Sequence, residues 1–243
     1  MVASGALAFD GGGWPWEKPL RWLRLLDPGL FTVVTKTLTR KPRKGNLRWT
    51  APFRVVKKIP GGAVNAIGLT NPGIEWWCRN IGPRVEGLRW PLVVSIEAES
   101  VQETAEMVKQ LNPFPIKGIE LYMSCPNTAN EVRRNTEKLK KICYTAKRVS
   151  QHPLLMKIGV THEPSVLAQA LNGIVEAISI NSVPWSIIFP DQPSPLAPFG
   201  GGGVSGKPIQ GWTWKVVESL ARLKQIPVIG PSVWEYEDIE KLF

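Results

Sequence analysis

The 243 residues of the chain are enough to bury a sizeable core in one large domain. Hydrophobic residues make up 43% and charged residues 21%, which excludes collagen, coiled-coil and disordered classes. The formal charge of +10 is spread along the chain, without a basic stripe interleaved with aromatic residues and without a known nucleic-acid-binding module. We therefore expect no nucleic-acid partner.

The sequence also indicates the cellular compartment of the protein. No apolar run approaches the roughly 18–20 residues that span a bilayer, and Met1–Phe9 lacks the basic start and cleavage pattern of a secretory signal. The cysteines Cys78, Cys125 and Cys143 form neither a disulfide framework nor the paired spacing of a zinc site. We expect a cytoplasmic protein with no membrane partner and no bound metal.

Seven short apolar runs alternate with helical patterns along the chain. Several are continuously hydrophobic, as is typical of strands covered on both faces in a parallel sheet. One intervening helix is predicted after the capping box Ser100–Glu103, and another over Trp212–Leu223. The alternation predicts an α/β domain with a parallel sheet. The runs are Val2–Ala3, Thr32–Lys36, Leu92–Ile96, Gly118–Met123, Leu154–Ile158, Ala177–Ile180 and Ile226–Gly230.

Two stretches interrupt this alternation. A small hairpin insertion is predicted around residues 46–60, with its stem in Trp49–Lys58, and a long Pro/Gly-rich loop around 183–210. Loops of this length within a compact domain are usually lids or binding loops. Because the chain shows no internal repeat and no interdomain linker, we predict a single domain over residues 1–243.

Polar residues follow the predicted strands at their carboxyl ends, which is where parallel α/β folds bind ligands. These residues are Ser4 and Gly5, Lys36 and Thr37, Ser124–Asn127, Lys157, and Asn181 with Ser182.

Three features of the sequence suggest a catalytic or ligand-binding role. Lys36 and Lys157 end or interrupt apolar strands, so they either extend to the surface or face a buried anion or an electron-rich ring. Cys125 is either a small core residue or a base or nucleophile exposed to a ligand. The run Gly200–Gly206 can cradle a phosphate or serve as a lid hinge.

Taken in chain order, these segments resemble the dihydroorotate dehydrogenases, flavin enzymes of pyrimidine synthesis. The resemblance implies a TIM (β/α)8-type barrel, of which seven of eight strands are in this chain. The presence of cysteine rather than serine at position 125 of the matching segment Ser124–Asn127 is typical of the class 1 type. The segments that carry the resemblance are Val2–Gly5, Thr35–Thr37, Arg43–Asn46, Asn65–Gly73, Ser124–Asn127, Met156–Lys157, Asn181–Ser182 and Gly202–Gly206.

The resemblance also implies a role for each matching residue. Cys125 would be the base that removes a proton from C5 of dihydroorotate while C6 passes hydride to FMN. The residues implied for the substrate are Lys36, Asn65, Ile67, Gly68, Leu69, Asn127, Asn181 and Ser182. Those implied for the cofactor are Ser4, Gly5, Lys36, Thr37, Lys157, Gly203, Ser205, Gly206 and Gly230.

Three departures from the family pattern leave alternatives open. Tyr122 replaces the usual asparagine, Pro231 follows Gly230 in place of a second glycine, and no eighth strand follows within the 243 residues. The alternatives are a flavin oxidoreductase acting on another cyclic amide or pyrimidine, and a non-catalytic truncated barrel. We expect a homodimer that uses fumarate or, through an electron-transfer partner subunit, NAD as electron acceptor.

Overall fold

The computed structural model of the chain describes residues 1–48, 50–122 and 136–242. Their internal contacts divide into two compact units. Unit 1 consists of Met1–Arg43, Asn71–Tyr122 and Lys141–Leu155. Unit 2 consists, within the described residues, of 44–48, 50–70, 136–140 and 156–242. Whether the chain folds as a single domain over residues 1–243 stays a prediction.

Strands and helices alternate along most of the described chain. The strands are β1 (Val33–Val34), β2 (Val56–Ile59), β3 (Gly62–Asn65), β4 (Leu92–Ile96), β5 (Gly118–Tyr122), β6 (Leu154–Ile158), β7 (Ala177–Ile180), β8 (Val183–Pro184), β9 (Gly203–Gly206) and β10 (Val228–Ile229). The helices are α1 (Lys18–Trp22), α2 (Ile74–Asn80), α3 (Val101–Leu111), α4 (Thr136–Val149), α5 (Pro164–Leu171), α6 (Trp185–Ile188), α7 (Gln210–Leu223) and α8 (Glu237–Leu242).

The parallel strands of unit 1 are buried along their length. Val33 of β1 pairs with Leu92 of β4, and Val93 of β4 pairs with Gly118 of β5. All five residues of β4 and all five of β5 are buried, as expected for strands covered on both faces. The predicted capping box is confirmed, because the Ser100 side chain accepts a hydrogen bond from the Glu103 N–H at the start of α3.

Unit 2 contains a second, antiparallel sheet in the order β2-β3-β9-β8. Val64 of β3 pairs with Val204 of β9, which in turn pairs with Val183 of β8. These three valines and Leu196 are fully buried in one apolar cluster. The same unit holds the parallel pair of β7 and β10, in which Ile178 is opposite Val228.

The strand order confirms the predicted fold class. Parallel strands follow one another as β1-β4-β5-β6-β7-β10, with helices between them, which is the connectivity of a (β/α) barrel. Six of the seven predicted runs contain strands. The first run instead makes an isolated parallel bridge between Val2 and Val33, and β1 and β10 are only two residues long.

The first interruption contains a hairpin, as predicted, although further along the chain, and the second contains strands and a helix that the sequence did not predict. The hairpin is formed by β2 and β3 with its turn at Pro60 and Gly61, so its strands only partly overlap the predicted segment of 46–60. The stretch around 183–210 contains β8, α6 and β9. Within the ranges described, no helix is long and apolar enough to cross a membrane.

Candidate active site

In unit 1, a row of hydrogen-bonded side chains, which we call the hydroxyl relay, leads from Ser4 to Glu120 in the middle of β5. Ser4 Oγ lies 2.9 Å from Thr37 Oγ1, and Thr37 Oγ1 lies 3.0 Å from Ser95 Oγ. Ser95 donates to Glu120 Oε1 over 2.9 Å. The relay includes two residues that the sequence had singled out, Ser4 and Thr37, and two that it had not, Ser95 and Glu120.

The sequence did contain a signal for the two missed residues. Ser95 and Glu120 are a serine and a carboxylate inside otherwise apolar strands, and their burial is costly unless they are hydrogen-bonded. They are register partners in β4 and β5, which places them side by side on one face. Tyr122 lies two residues beyond Glu120 on the same face of β5 and is buried.

Lys36 is held beside Gly5 in the same unit. The Lys36 residue is 9% exposed, and its backbone N–H donates to the Ala8 carbonyl over 2.7 Å. Gly5 has φ of +81°, and a Cβ at this position would lie 2.7 Å from Lys36 Cδ. Lys36 is therefore buried and does not extend to the surface, and its role towards a ligand stays a prediction.

A second missed carboxylate, Glu97, follows β4. Its side chain is 2% exposed and pairs with Arg43 Nη1 at 3.2 Å. Arg43 also exchanges backbone hydrogen bonds with Asn71, both of 2.9 Å. The ion pair therefore fixes the start of the Arg43–Asn46 segment in unit 1 against the end of β4.

In unit 2, the predicted substrate segment 65–69 forms a tight turn clamped by Asn46. The Asn46 N–H donates to the Ile67 carbonyl and its side-chain amide to the Ala66 carbonyl, both over 2.9 Å. Leu69 has φ of +58° and Gly68 has φ of +68°, so the turn passes through the left-handed region twice. Ile67 and Gly68 are half-buried.

Asn65 lies at the contact between this turn and the glycine run. It ends β3 opposite Gly203 of β9, whose carbonyl accepts from the Asn65 side chain over 3.5 Å. A Cβ at Gly202 would lie 2.7 Å from the Asn65 carbonyl oxygen. Ser205 and Gly206 continue β9, with Ser205 opposite Ala63. The glycine run therefore serves as a strand that lets the backbone approach Asn65 closely.

Strands β6 and β7 place two more predicted residues in unit 2. Lys157 in β6 is 7% exposed and Asn181, directly after β7, is 8% exposed. The Asn181 N–H donates to the Ile158 carbonyl over 2.8 Å, which fixes these two strand ends side by side. Ser182 is half-buried. A missed residue, Ser179 in β7, is buried as well.

Gly230 follows β10 and begins a turn that packs against α7 and α8. The Pro231 carbonyl accepts from Trp214 Nε1 over 3.0 Å, and a Cβ at Gly230 would lie 3.0 Å from Leu242 Cδ1. Asp238 in α8 accepts from the backbone N–H groups of Glu235 and Trp234 over 3.0 and 2.9 Å. These bonds hold the pKa of Asp238 well below its usual range, with further help from Lys241 and Gln210.

Cys125, the predicted base, lies outside the described residues, as does Asn127. The other two cysteines are unsuited to the role. Burial raises the pKa of Cys78 to about 11 and that of Cys143 to about 12, so both thiols stay protonated at neutral pH. Among the residues that the structure describes, no cluster of His, Cys, Asp and Glu could hold a metal ion.

Comparison with known proteins gives one consistent family. A family model described as dihydroorotate dehydrogenase matches residues 18–232. A relative from Carboxydothermus hydrogenoformans is 32% identical over 238 residues, which is 95% of this chain and 73% of the relative. Relatives from Desulforudis audaxviator (31% identical, 95% of this chain and 73% of the relative) and Caldicellulosiruptor saccharolyticus (28%, 100% and 79%) are also similar. All three are named dihydroorotate dehydrogenase B (NAD(+)), catalytic subunit.

Proposed function

This chain belongs to the dihydroorotate dehydrogenase family of oxidoreductases, and we propose that it oxidises dihydroorotate to orotate in de novo pyrimidine (UMP) biosynthesis. The observation that carries the proposal is the family match over residues 18–232, which includes most of the candidate site. The burial of Lys36 and Lys157 supports it, because neither side chain extends to the surface as a solvated lysine would.

We propose FMN as the cofactor, and the described residues fit its chemistry. Bound FMN would accept the hydride that leaves C6 of the substrate. Lys157 would hold the flavin ring with a positive charge, and Gly5 leaves room for the Lys36 side chain, which a Cβ at position 5 would displace. The residues proposed to contact FMN are Ser4, Gly5, Lys36, Thr37, Lys157, Gly203, Ser205, Gly206 and Gly230.

The substrate residues are proposed on the same basis. Asparagine amides both donate and accept hydrogen bonds, which suits the alternating N–H and C=O groups of a pyrimidine ring. Lys36 would neutralise the substrate carboxylate, and Cys125 would remove the C5 proton as general base. The remaining residues proposed to contact the substrate are Asn65, Ile67, Gly68, Leu69, Asn127, Asn181 and Ser182.

The proposal is tested by purifying the protein with FMN and titrating it anaerobically with dihydroorotate. We expect one bound FMN per chain, loss of the oxidised flavin absorption band, and formation of one orotate per flavin. A protein that binds no FMN contradicts the cofactor assignment. A protein that binds FMN and is not reduced by dihydroorotate contradicts the substrate assignment.

A second candidate substrate is favoured by Tyr122, which is buried on the face of β5 that carries Glu120. A phenol donates and accepts through a single hydroxyl, whereas the amide usual at this position in the family has two N–H donors and a separate carbonyl acceptor. The alternative function is therefore a flavin oxidoreductase acting on another cyclic amide or pyrimidine. We expect Tyr122→Asn to tighten orotate binding if dihydroorotate is the substrate. Reduction of the wild type by dihydrouracil, with none by dihydroorotate, would establish the alternative.

We also propose an electron-transfer partner subunit, since the relatives are named NAD(+)-type catalytic subunits. This is tested by purifying the tagged chain from its source and identifying a flavoprotein that restores NAD reduction. Fumarate reduction by the isolated chain would contradict it.

We further propose a homodimer in the cytoplasm. Cys78 and Cys143 are thiols rather than members of a disulfide, which supports a reducing compartment. Sedimentation equilibrium measures the oligomeric state.

A further inference from the structure

The hydroxyl relay of unit 1 runs from a half-exposed serine to a buried carboxylate. Thr37, Ser95 and Glu120 are 1%, 0% and 2% exposed, whereas Ser4 is only partly buried. The three links measure 2.9, 3.0 and 2.9 Å. Ser4 is therefore the only one of the four that a ligand or solvent can reach directly.

The carboxylate fixes the direction of every bond in the relay. Each hydroxyl has a single proton to donate, while a carboxylate can only accept. Since Ser95 donates to Glu120, its oxygen can take part in the next link only as an acceptor, so Thr37 donates to Ser95. The proton of Thr37 is then used, and Ser4 donates to Thr37.

We propose that Glu120 is a positioning residue that acts through Ser95 and Thr37, so that Ser4 meets its ligand only as a hydrogen-bond acceptor. Resting on the proposed function, this deepens the cofactor assignment. The ligand group opposite Ser4 is therefore a hydrogen-bond donor of FMN, a ring N–H or a ribityl hydroxyl, because the ring carbonyls and unprotonated ring nitrogens only accept. Without Glu120 to orient the relay, Ser4 could equally turn its proton outwards and would lose this selectivity.

The direction of the relay is tested without any cofactor, by neutron diffraction from crystals of the deuterated, ligand-free protein. We expect deuterium on Thr37 Oγ1 to point towards Ser95, and deuterium on Ser4 Oγ to point towards Thr37. Deuterium on Thr37 pointing towards Ser4 would overturn the inference. This result does not depend on whether the protein binds FMN.

The consequence for the ligand is tested by measuring the Kd of FMN through quenching of its fluorescence. Ser95→Ala interrupts the relay two links away from the ligand and leaves the hydroxyls of Ser4 and Thr37 in place. We expect it to weaken FMN binding about 2- to 10-fold, the range of one ordinary hydrogen bond. The same substitution should have no further effect in a Ser4→Ala background, because the relay acts only through Ser4.

A matched control is Thr104→Val, which removes a hydroxyl that is equally buried in unit 1 and bonded to the Ser100 carbonyl over 2.8 Å. It should leave the Kd of FMN unchanged. An effect of Ser95→Ala that is the same with and without the Ser4 hydroxyl would show a merely structural role and overturn the inference. Failure of the wild type to bind FMN would refute the proposed cofactor together with the assigned ligand group, while the neutron result would still decide the direction of the relay.

Discussion

Replacing Gly5 by alanine introduces two separate costs that the structure allows us to add. The φ of +81° places a residue with a Cβ in the left-handed region, at a cost of about 1–2 kcal/mol. The new Cβ would also lie 2.7 Å from Lys36 Cδ, well inside the optimal carbon–carbon separation of about 3.5–4.0 Å. Forcing the lysine away from its rotamer adds about 0.5–1.5 kcal/mol.

We therefore expect Gly5→Ala to lower the free energy of unfolding by about 1.5–3.5 kcal/mol, measured by urea denaturation followed by circular dichroism. Gly173→Ala is the matched control, because Gly173 has φ of +73° and no heavy atom lies within 4 Å of the place that an alanine Cβ would occupy. Gly173→Ala should lower the free energy of unfolding only by the cost of the left-handed backbone, about 1–2 kcal/mol.

The two variants should also differ in cofactor binding. Gly5→Ala displaces the Lys36 side chain, so we expect a weaker Kd for FMN, whereas Gly173→Ala should leave it unchanged. Equal losses of stability in the two variants, with FMN binding intact in both, would refute the claim that glycine is required at position 5 to accommodate Lys36.

Three further outcomes are expected. Arg43→Met removes the ion pair between Arg43 and buried Glu97 and should cost about 1–3 kcal/mol of unfolding free energy. Arg40→Met breaks a pair whose side chains are both 50% exposed and should cost less than about 1 kcal/mol in the same urea assay. The lowered pKa of Asp238 means that its contribution to stability is complete above about pH 4 and is lost as the pH falls further. Asp238→Asn should therefore flatten the pH dependence of the urea midpoint below that pH, and an unchanged profile would contradict the assignment. Cys125→Ala should bind FMN normally and slow the reduction of FMN by dihydroorotate at least ~10²-fold in stopped flow. Cys125→Ser should retain part of the rate at higher pH. Unchanged reduction in Cys125→Ala would remove the cysteine from the mechanism.

The sequence by itself determined the parallel strands and the residues that follow them. The runs Leu92–Ile96, Leu154–Ile158 and Ala177–Ile180 have the same bounds in the structure as in the prediction. Continuous apolar character is a local signal, and it survives in the fold because these strands are covered on both faces. The capping box at Ser100 is local as well, since one side chain satisfies an N–H three residues away.

Only the tertiary structure decided the second sheet and the relay. The segment Gly203–Gly206 has almost no intrinsic preference for a strand, and it becomes β9 because β3, about 140 residues earlier in the chain, supplies its hydrogen-bond partners. Ser95 and Glu120 likewise become a pair only through the register of β4 against β5. Such contacts depend on which strands are neighbours, and no local pattern of residues contains that information.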